Sequence, residues 1–249
     1  MTLLSISRAN RFVRCARSYY YRYILNLPDA PGREALLGTF FHRILDVWAG
    51  KVKLGQDIKT ALQESYLDKG LREAMKIEFN AEITPAELSQ IREWLKSYSK
   101  QLLTERFTIL GHEKEFDFQI KGNCLVRGAI DRIDELENGD IRIVDYKTGN
   151  SKYVTDKQLA VYAKALMAES FYRAKRLIGV YVFLKEDCRA EEIELDEKKI
   201  EEAVSFLEEV GQRIEAEQIW KPKPSRLCEW CRFKFKCAAE TSGVEIDVF

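Results

Sequence analysis

Very little in this 249-residue chain stands out by amount. Net charge is lacking: 40 Lys and Arg balance 40 Asp and Glu, so bulk electrostatics do not mark a polyanion binder. No apolar run reaches bilayer length. The longest, Leu177 to Leu184, is far too short to span and reads as a buried strand. The first residues lack an apolar stretch with a small-residue cleavage site, so a cytoplasmic, reducing setting without a membrane is expected. Prolines number five, and no repeat, low-complexity tract or linker interrupts the pattern. With 46% hydrophobic residues, one large core is expected, in a single domain over residues 1–249.

What the chain does have is Ile141-Arg-Ile-Val-Asp145-Tyr-Lys147-Thr-Gly149. Ile141, Ile143 and Val144 favour a strand, and Asn138-Gly139 before them signals a hairpin turn. Residues two apart on a strand point the same way, so Asp145 and Lys147 share a face. A carboxylate can hold a cation while a neighbouring ammonium polarises a substrate oxygen or water, which is equipment for cutting a phosphodiester. Across the turn, Gly128-Ala-Ile-Asp131 is another apolar strand ending on an acid. A hairpin would bring Asp131 beside Asp145, and two carboxylates about 4 Å apart repel by roughly 4 kcal/mol at an effective dielectric of about 20 unless a cation lies between them. Upstream, Gly38-Thr-Phe-Phe-His42 opens a helical stretch, with Gly38 and His42 one turn apart. A small residue there would let the helix approach the sheet while His42 reaches the metal. Downstream, Gln158 and Tyr162 lie one turn apart on a helix that follows the Asp145 strand.

The ordered set G-x-x-x-H, G-x-x-D, D-Y-K-T-G and Q-x-x-x-Y resembles the RecB-type branch of the PD-(D/E)xK nucleases. That branch includes the nuclease domains of RecB and AddB and the CRISPR-associated exonuclease Cas-four. The resemblance implies an α/β fold with a restriction-endonuclease-like mixed central sheet flanked by helices. It implies a metal-dependent deoxyribonuclease, most often an exonuclease on single-stranded DNA or DNA ends. His42, Asp131 and Asp145 would bind the metal with the backbone carbonyl of Tyr146, Lys147 would be catalytic, and Gln158 and Tyr162 would contact DNA. The family also carries a Glu on the preceding strand; His112-Glu113-Lys-Glu115 offers two candidates, of which Glu113 is preferred. A nitrogen ligand suits Mn²⁺ better than Mg²⁺, which prefers oxygen. Implied partners are recombination or helicase chains, or a CRISPR integrase for which such a protein could serve as a processing partner.

Four of the six cysteines form a pattern: Cys15, then Cys228-x-x-Cys231-x-x-x-x-x-Cys237. In a reducing compartment such clusters read as metal ligands, and a C-x-x-C pair fits zinc as well as iron–sulfur. The arrangement looks like the one that binds a [4Fe–4S] cluster in AddB and the Cas-four group; the alternative is a non-catalytic, zinc-stabilised DNA-binding module. The cluster would join residues 1–37 and 219–249 into one lobe, with a helical insertion at 51–107. Both ends are basic and aromatic: Arg8, Arg11, Arg14, Arg17 and Arg22 interleave with Phe12 and Tyr19 to Tyr21, while six cations and four rings surround the cysteine trio. Most of these rings are expected to be core, and several Arg residues to follow phosphates, with Arg14, Arg17 and Tyr20 as contacts. Thr84-Pro85-Ala-Glu87 signals a capped helix start, with Leu88, Ile91, Leu95, Tyr98 and Leu102 as the buried stripe.

Overall fold

A computed structural model describes residues 1–29, 31–149, 151, 154–173 and 175–242, with side chains as far as Ala238. The chain divides into two compact units. The smaller comprises Met1–Ala30, Asp117–Arg127 and Val204–Phe249; the larger comprises Pro31–Phe116 and Gly128–Ala203. Strands β2 (Phe107–Ile120) and β3 (Cys124–Leu136) contribute residues to both, so the architecture is mixed α/β with a mixed sheet. No described helix is long and apolar enough to cross a membrane.

In the larger unit the helices come first: α3 (Arg33–Lys53), α4 (Ile58–Leu67), α5 (Lys69–Phe79) and α6 (Pro85–Leu102). Helix α6 begins as its sequence dictates. The Thr84 hydroxyl accepts from the Glu87 amide, the Glu87 carboxylate accepts from the Thr84 amide, and Pro85 fills a first-turn position where its missing N–H costs nothing. Its buried stripe is Ile91, Trp94, Leu95, Tyr98 and Leu102, while Leu88 is only partly covered.

The strands follow. β3 and β4 (Ile141–Lys147) form an antiparallel hairpin, with Gly139 at φ +83° in the turn, a backbone conformation that favours glycine. Helix α7 (Lys157–Met167) and the short α8 (Ser170–Arg173) then carry the chain over to β5 (Leu177–Phe183), which is parallel to β4. β6 (Arg189–Glu194) returns antiparallel on β5. Parallel strands need such a helical crossover, and β4 and β5 are correspondingly buried on both faces. On one face Val144, Tyr146, Val180 and Val182 pack with Phe40, Phe41, Ile44, Leu45 and Trp48 of α3. On the other, α7 lies so close that a Cβ at Gly179 would fall 2.8 Å from Leu159.

In the smaller unit, β1 (Thr2–Leu4) runs parallel to the start of β3, pairing Thr2 with Cys124 and Leu4 with Val126. Helices α1 (Ile6–Arg14) and α2 (Ala16–Tyr19) follow, the second continuing into a π turn at Tyr20–Ile24. Helix α9 (Glu197–Ala216) begins in the larger unit and ends in the smaller, and α10 (Lys234–Ser242) closes the described chain. Cys124 is a buried strand residue. Cys188 is equally buried, but in a tight turn at φ +57° before β6, where its thiol donates to the Trp94 carbonyl.

Candidate active site

The register of the β3–β4 hairpin pairs Arg132 with Val144, so the next step sets Asp131 opposite Asp145. Alternation then divides the residues of β4: Tyr146 goes into the helical core, and Asp145 and Lys147 go to the face covered by α7. Asp145 is 2% exposed, and each of its oxygens has company. Lys147 Nζ lies 2.6 Å from Oδ2; Gln158 Nε2 donates to Oδ1 at 2.8 Å and the Tyr162 hydroxyl at 3.3 Å. Lys147 also donates to Gln158 Oε1 at 2.7 Å. One turn of α7 therefore fixes both members of the acid–ammonium pair. Burial first, and then the Asp131 charge, push the Asp145 carboxyl up to about 6, with Lys147 pulling the other way.

Helix α3 brings His42 to the same strand. Its Nε2 donates to the Tyr146 carbonyl at 3.0 Å, which leaves Nδ1 facing Asp131 Oδ2 at 3.5 Å. The Tyr146 amide donates to that same Asp131 oxygen at 2.8 Å. Gly38 makes the approach possible: a Cβ there would sit 2.9 Å from both Thr148 Cγ2 and Oγ1. Gly38→Ala gains about 1 kcal/mol of helix propensity but meets a stiff β-branched side chain, where overpacking costs about 1–3 kcal/mol. We expect the helix to be pushed off the strand and divalent-ion affinity to fall roughly 10-fold, measured by calorimetry. Unchanged affinity would show that the close approach does not set the reach of His42.

The third member comes from β2. Ligand atoms of His42, Glu113 and Asp131 all lie within 4.8 Å of one another, the only such group of His, Cys, Asp or Glu among the described residues. Glu113 is thus the glutamate brought in; Glu115 is not in the group, and neither is Asp145, which stands one strand over. Glu113 has a φ of +41°, rare for a non-glycine residue, at an irregularity that re-aims its side chain within a long strand. Although much of its side chain is exposed, loss of water around the carboxyl and then the charges of Asp131 and Asp46 push it up to about 7. For His42, burial disfavours the charged ring, but hydrogen bonding and attraction from Asp131, aided by Asp145 and Glu113, hold it above its usual value. One imidazole and two acids whose charges are mutually unfavourable match a divalent cation. His42 and Glu113 border a cleft of about 560 Å³, lined also by Gly38, Arg43, Asp46 and Thr148.

Two features of this neighbourhood are not evident in the sequence pattern. His112 Nδ1 lies 2.5 Å from Asp46 Oδ1, tying the residue before Glu113 to the helix that carries His42. Behind β4, Arg132 is 2% exposed and donates to the hydroxyls of Tyr98 and Tyr146 at 2.8 Å each, while Asp134, completely buried, takes both Arg132 and Arg142. Alternation along β3 sets Arg132 and Asp134 on the face opposite Asp131, but it says nothing of what covers them.

Residues 3–238 match the PD-(D/E)XK nuclease superfamily. The chain belongs to that superfamily. Among curated proteins it is similar to a subunit of the ATP-dependent helicase/deoxyribonuclease of Clostridium perfringens strain SM101, 29% identical over 231 residues, covering 74% of this chain and 19% of that protein. The corresponding protein from Streptococcus pyogenes serotype M49 is 26% identical over 202 residues, covering 74% and 18%. The chain thus spans about a fifth of the length of these relatives. A solved structure from Eubacterium rectale, provisionally named an exonuclease, superposes with a TM-score of 0.53 over 93% of this chain and 87% of its own at 13% identity, a likeness of fold alone.

This member of the superfamily gathers its remaining cysteines in the smaller unit. Cys15, Cys228, Cys231 and Cys237 are not in disulfides and line one cavity of about 220 Å³. The Lys223 amide points at Cys15 Sγ and the Ser225 amide at Cys228 Sγ, each at 3.4 Å. Burial and then the charges of Cys15, Cys231 and Cys228, offset by Arg17, push the Cys237 thiol up. Of the expected DNA contacts, Arg14 is exposed. Tyr20 stacks on Trp220 at 5.4 Å, and Arg17 donates to the Trp220 carbonyl at 2.8 Å, so both serve the packing of this unit. The aromatic residues divide. Tyr19, Tyr21 and Phe233 are core, whereas Trp230 and Phe235 are on the surface.

The titration of the acid site has a sign. Glu113, Asp145 and His42 all hold a proton more tightly folded than their ordinary values require, so the folded state binds more protons. Their contribution is fully present below the ordinary pKa values and is lost as pH rises through the folded ones, about 6 for Asp145 and about 7 for Glu113. We expect the metal-free protein to be less stable to urea at about pH 8 than at about pH 5.5, and added Mn²⁺ to restore more stability at the higher value. A metal-free protein that gains stability over that interval would contradict the arrangement.

Proposed function

We propose that this chain is a divalent-metal-dependent deoxyribonuclease that hydrolyses phosphodiester bonds as an exonuclease on single-stranded DNA or DNA ends. The observation that carries this reading is the convergence of His42, Glu113 and Asp131 beside the buried Asp145–Lys147 pair. His42, Glu113 and Asp131 would hold the cation, joined by the neighbouring Asp145 and the Tyr146 carbonyl. The cation would supply Lewis acidity to the phosphate and to the attacking water. Lys147, positioned by Gln158, orients that water and screens charge growing on the phosphate. Asp145 pairs with the Lys147 ammonium, and Tyr162 holds Asp145 from behind.

In the cysteine lobe the chemistry of the donor set and the room between the thiols support a [4Fe–4S] cluster held by Cys15, Cys228, Cys231 and Cys237. A single zinc ion with Zn–S of about 2.3 Å requires sulfurs within roughly 4 Å of one another, and among the described residues the four are not grouped that closely. The cluster's part is structural. The relatives' names support a helicase chain as partner. Digestion of end-labelled single- and double-stranded DNA with Mn²⁺ or Mg²⁺ tests the reading. Activity with Mn²⁺ should at least equal that with Mg²⁺, and Lys147→Ala should abolish both. Strict Mg²⁺ dependence would remove His42 from the ligand set.

A further inference from the structure

The surface of the cysteine lobe carries two exposed rings where the sequence suggested core. Trp230 is 71% exposed and Phe235 is 75% exposed, while Phe233 between them is buried at 6%. Two large rings exposed near one another form an apolar patch of the kind that marks contact sites. The backbone accounts for the split. Trp230 ends a single 3-10 turn, Arg226–Trp230, in which no residue is buried, and Phe235 stands in the first turn of α10.

The rings are set among cations that lack acidic partners. Glu229, Trp230, Arg232, Lys234 and Phe235 line one cavity of about 410 Å³; Trp230 and Arg232 also line a second, of about 190 Å³, with Arg14, Lys223 and Asp29, the last paired with Arg11. Among the described residues no carboxylate lies within ion-pair distance of Arg14, Arg226, Arg232 or Lys234. Other surface cations of the chain are paired, as Arg43 is with Glu78, Lys51 with Glu64, Lys114 with Glu169 and Lys175 with Glu135. In a chain of zero net charge, such cations gathered around exposed rings are complementary to an outside source of negative charge. The rings require a flat apolar face as well.

We propose that Trp230 and Phe235, with Arg14, Arg232 and Lys234, form a platform that binds an unpaired nucleic acid strand, bases on the rings and phosphates on the cations. A single strand meets both needs at once: its bases are free to stack and its backbone carries a charge per nucleotide. A blunt duplex offers the charge with its base faces already stacked. The platform rests on the nuclease reading only for which polyanion the chain meets, and it adds a grip whose loss is separable from loss of cutting.

The test uses the full chain carrying Asp145→Asn, so that bound strands stay intact. Affinity is measured by fluorescence anisotropy for an unpaired oligonucleotide of mixed sequence and for a blunt duplex of equal length. Trp230→Ala with Phe235→Ala should weaken the unpaired strand at least roughly 30-fold, two stacks at the weak end of the range per base, and the duplex less than about 3-fold. Trp230→Phe with Phe235→Tyr should restore unpaired-strand binding to within about 5-fold, which lost folding would not allow. Arg232→Gln with Lys234→Gln should reduce the slope of log affinity against log salt by about 1.4, near 0.7 per cation. Unchanged affinity, equal losses on both substrates, or failure of the conservative pair to restore binding would each overturn the platform. The parent chain's cleavage assay is read separately. A chain that grips strands and never cuts them loses the nuclease reading and keeps the platform.

Discussion

Asp145→Asn is expected to abolish cleavage, by about 10³-fold or more, while single-stranded DNA is bound as tightly as before or tighter. Cleavage falls because the variant loses the carboxylate that faces the cation and the Lys147 ammonium together. Several kcal/mol of transition-state stabilisation rest on such a pair, at about 1.4 kcal/mol per factor of ten. The side chain keeps its shape, and Oδ1 can still accept from Gln158 and Tyr162. The amide that replaces Oδ2, however, points a donor at Lys147, which is itself only a donor. Lys147 is thereby released, with one negative charge fewer near the path of a polyanion, and affinity has no reason to fall. Gel-based digestion beside anisotropy binding checks both halves. Cleavage within 10-fold of the parent would remove Asp145 from the proposed centre, and lost binding would mean the substitution had damaged the fold.

The second large effect concerns Cys237. Between Glu217 and Ala238 the only buried side chain is Phe233, and only Trp220, half-buried against Tyr19 and Tyr20, adds ring packing, so apolar burial holds this segment weakly. Four thiols around one cavity can hold it firmly, once bridged by a common inorganic group. Cys237→Ser should leave purified protein colourless, with iron and sulfide below one equivalent, and lower the melting temperature by roughly 10–20 °C. That range corresponds to about 5 kcal/mol at roughly 2–4 °C per kcal/mol for a chain of this size. Zinc in place of iron in the parent would replace the cluster with a single ion. A variant that melts with the parent would show the lobe to be held by packing after all.

The legible parts of this molecule were those in which one local rule sufficed. The Asn138-Gly139 turn, the Thr84 cap, the strand at Ile141 and the helix after it follow from propensity and period, and the elements lie where those rules set them. Gly38 was readable as a close approach because a helix carrying a ligand needs a small residue where it meets a strand. Choosing between Glu113 and Glu115 was harder, since simple alternation puts both on one face. The positive φ at Glu113 breaks that alternation, and no side-chain pattern announces it. The Asp46–His112 contact joins residues 66 apart and exists only once β2 is laid beside α3. Arg132 and Asp134 look like solvent-facing residues of a half-buried strand. They are covered because α3 and α6 supply Trp48 and Tyr98 above them, and that is decided by packing. The exposed Trp230 was misleading for the opposite reason: a ring between two cysteines suggests core, yet a single short turn has no second layer to cover it.

Tyr146 gives the site an unusual genetic signature. Its amide steadies Asp131, its carbonyl steadies His42, and its phenol is anchored by Arg132 and Tyr98. Only the last of these disappears when the side chain is replaced. Alanine scanning would therefore file Tyr146 among residues that matter for solubility and expression, because the two contacts nearest the chemistry are encoded by no codon. Exchanging its peptide linkage for an ester by semisynthesis, which deletes that N–H alone, is the substitution to which catalysis would respond.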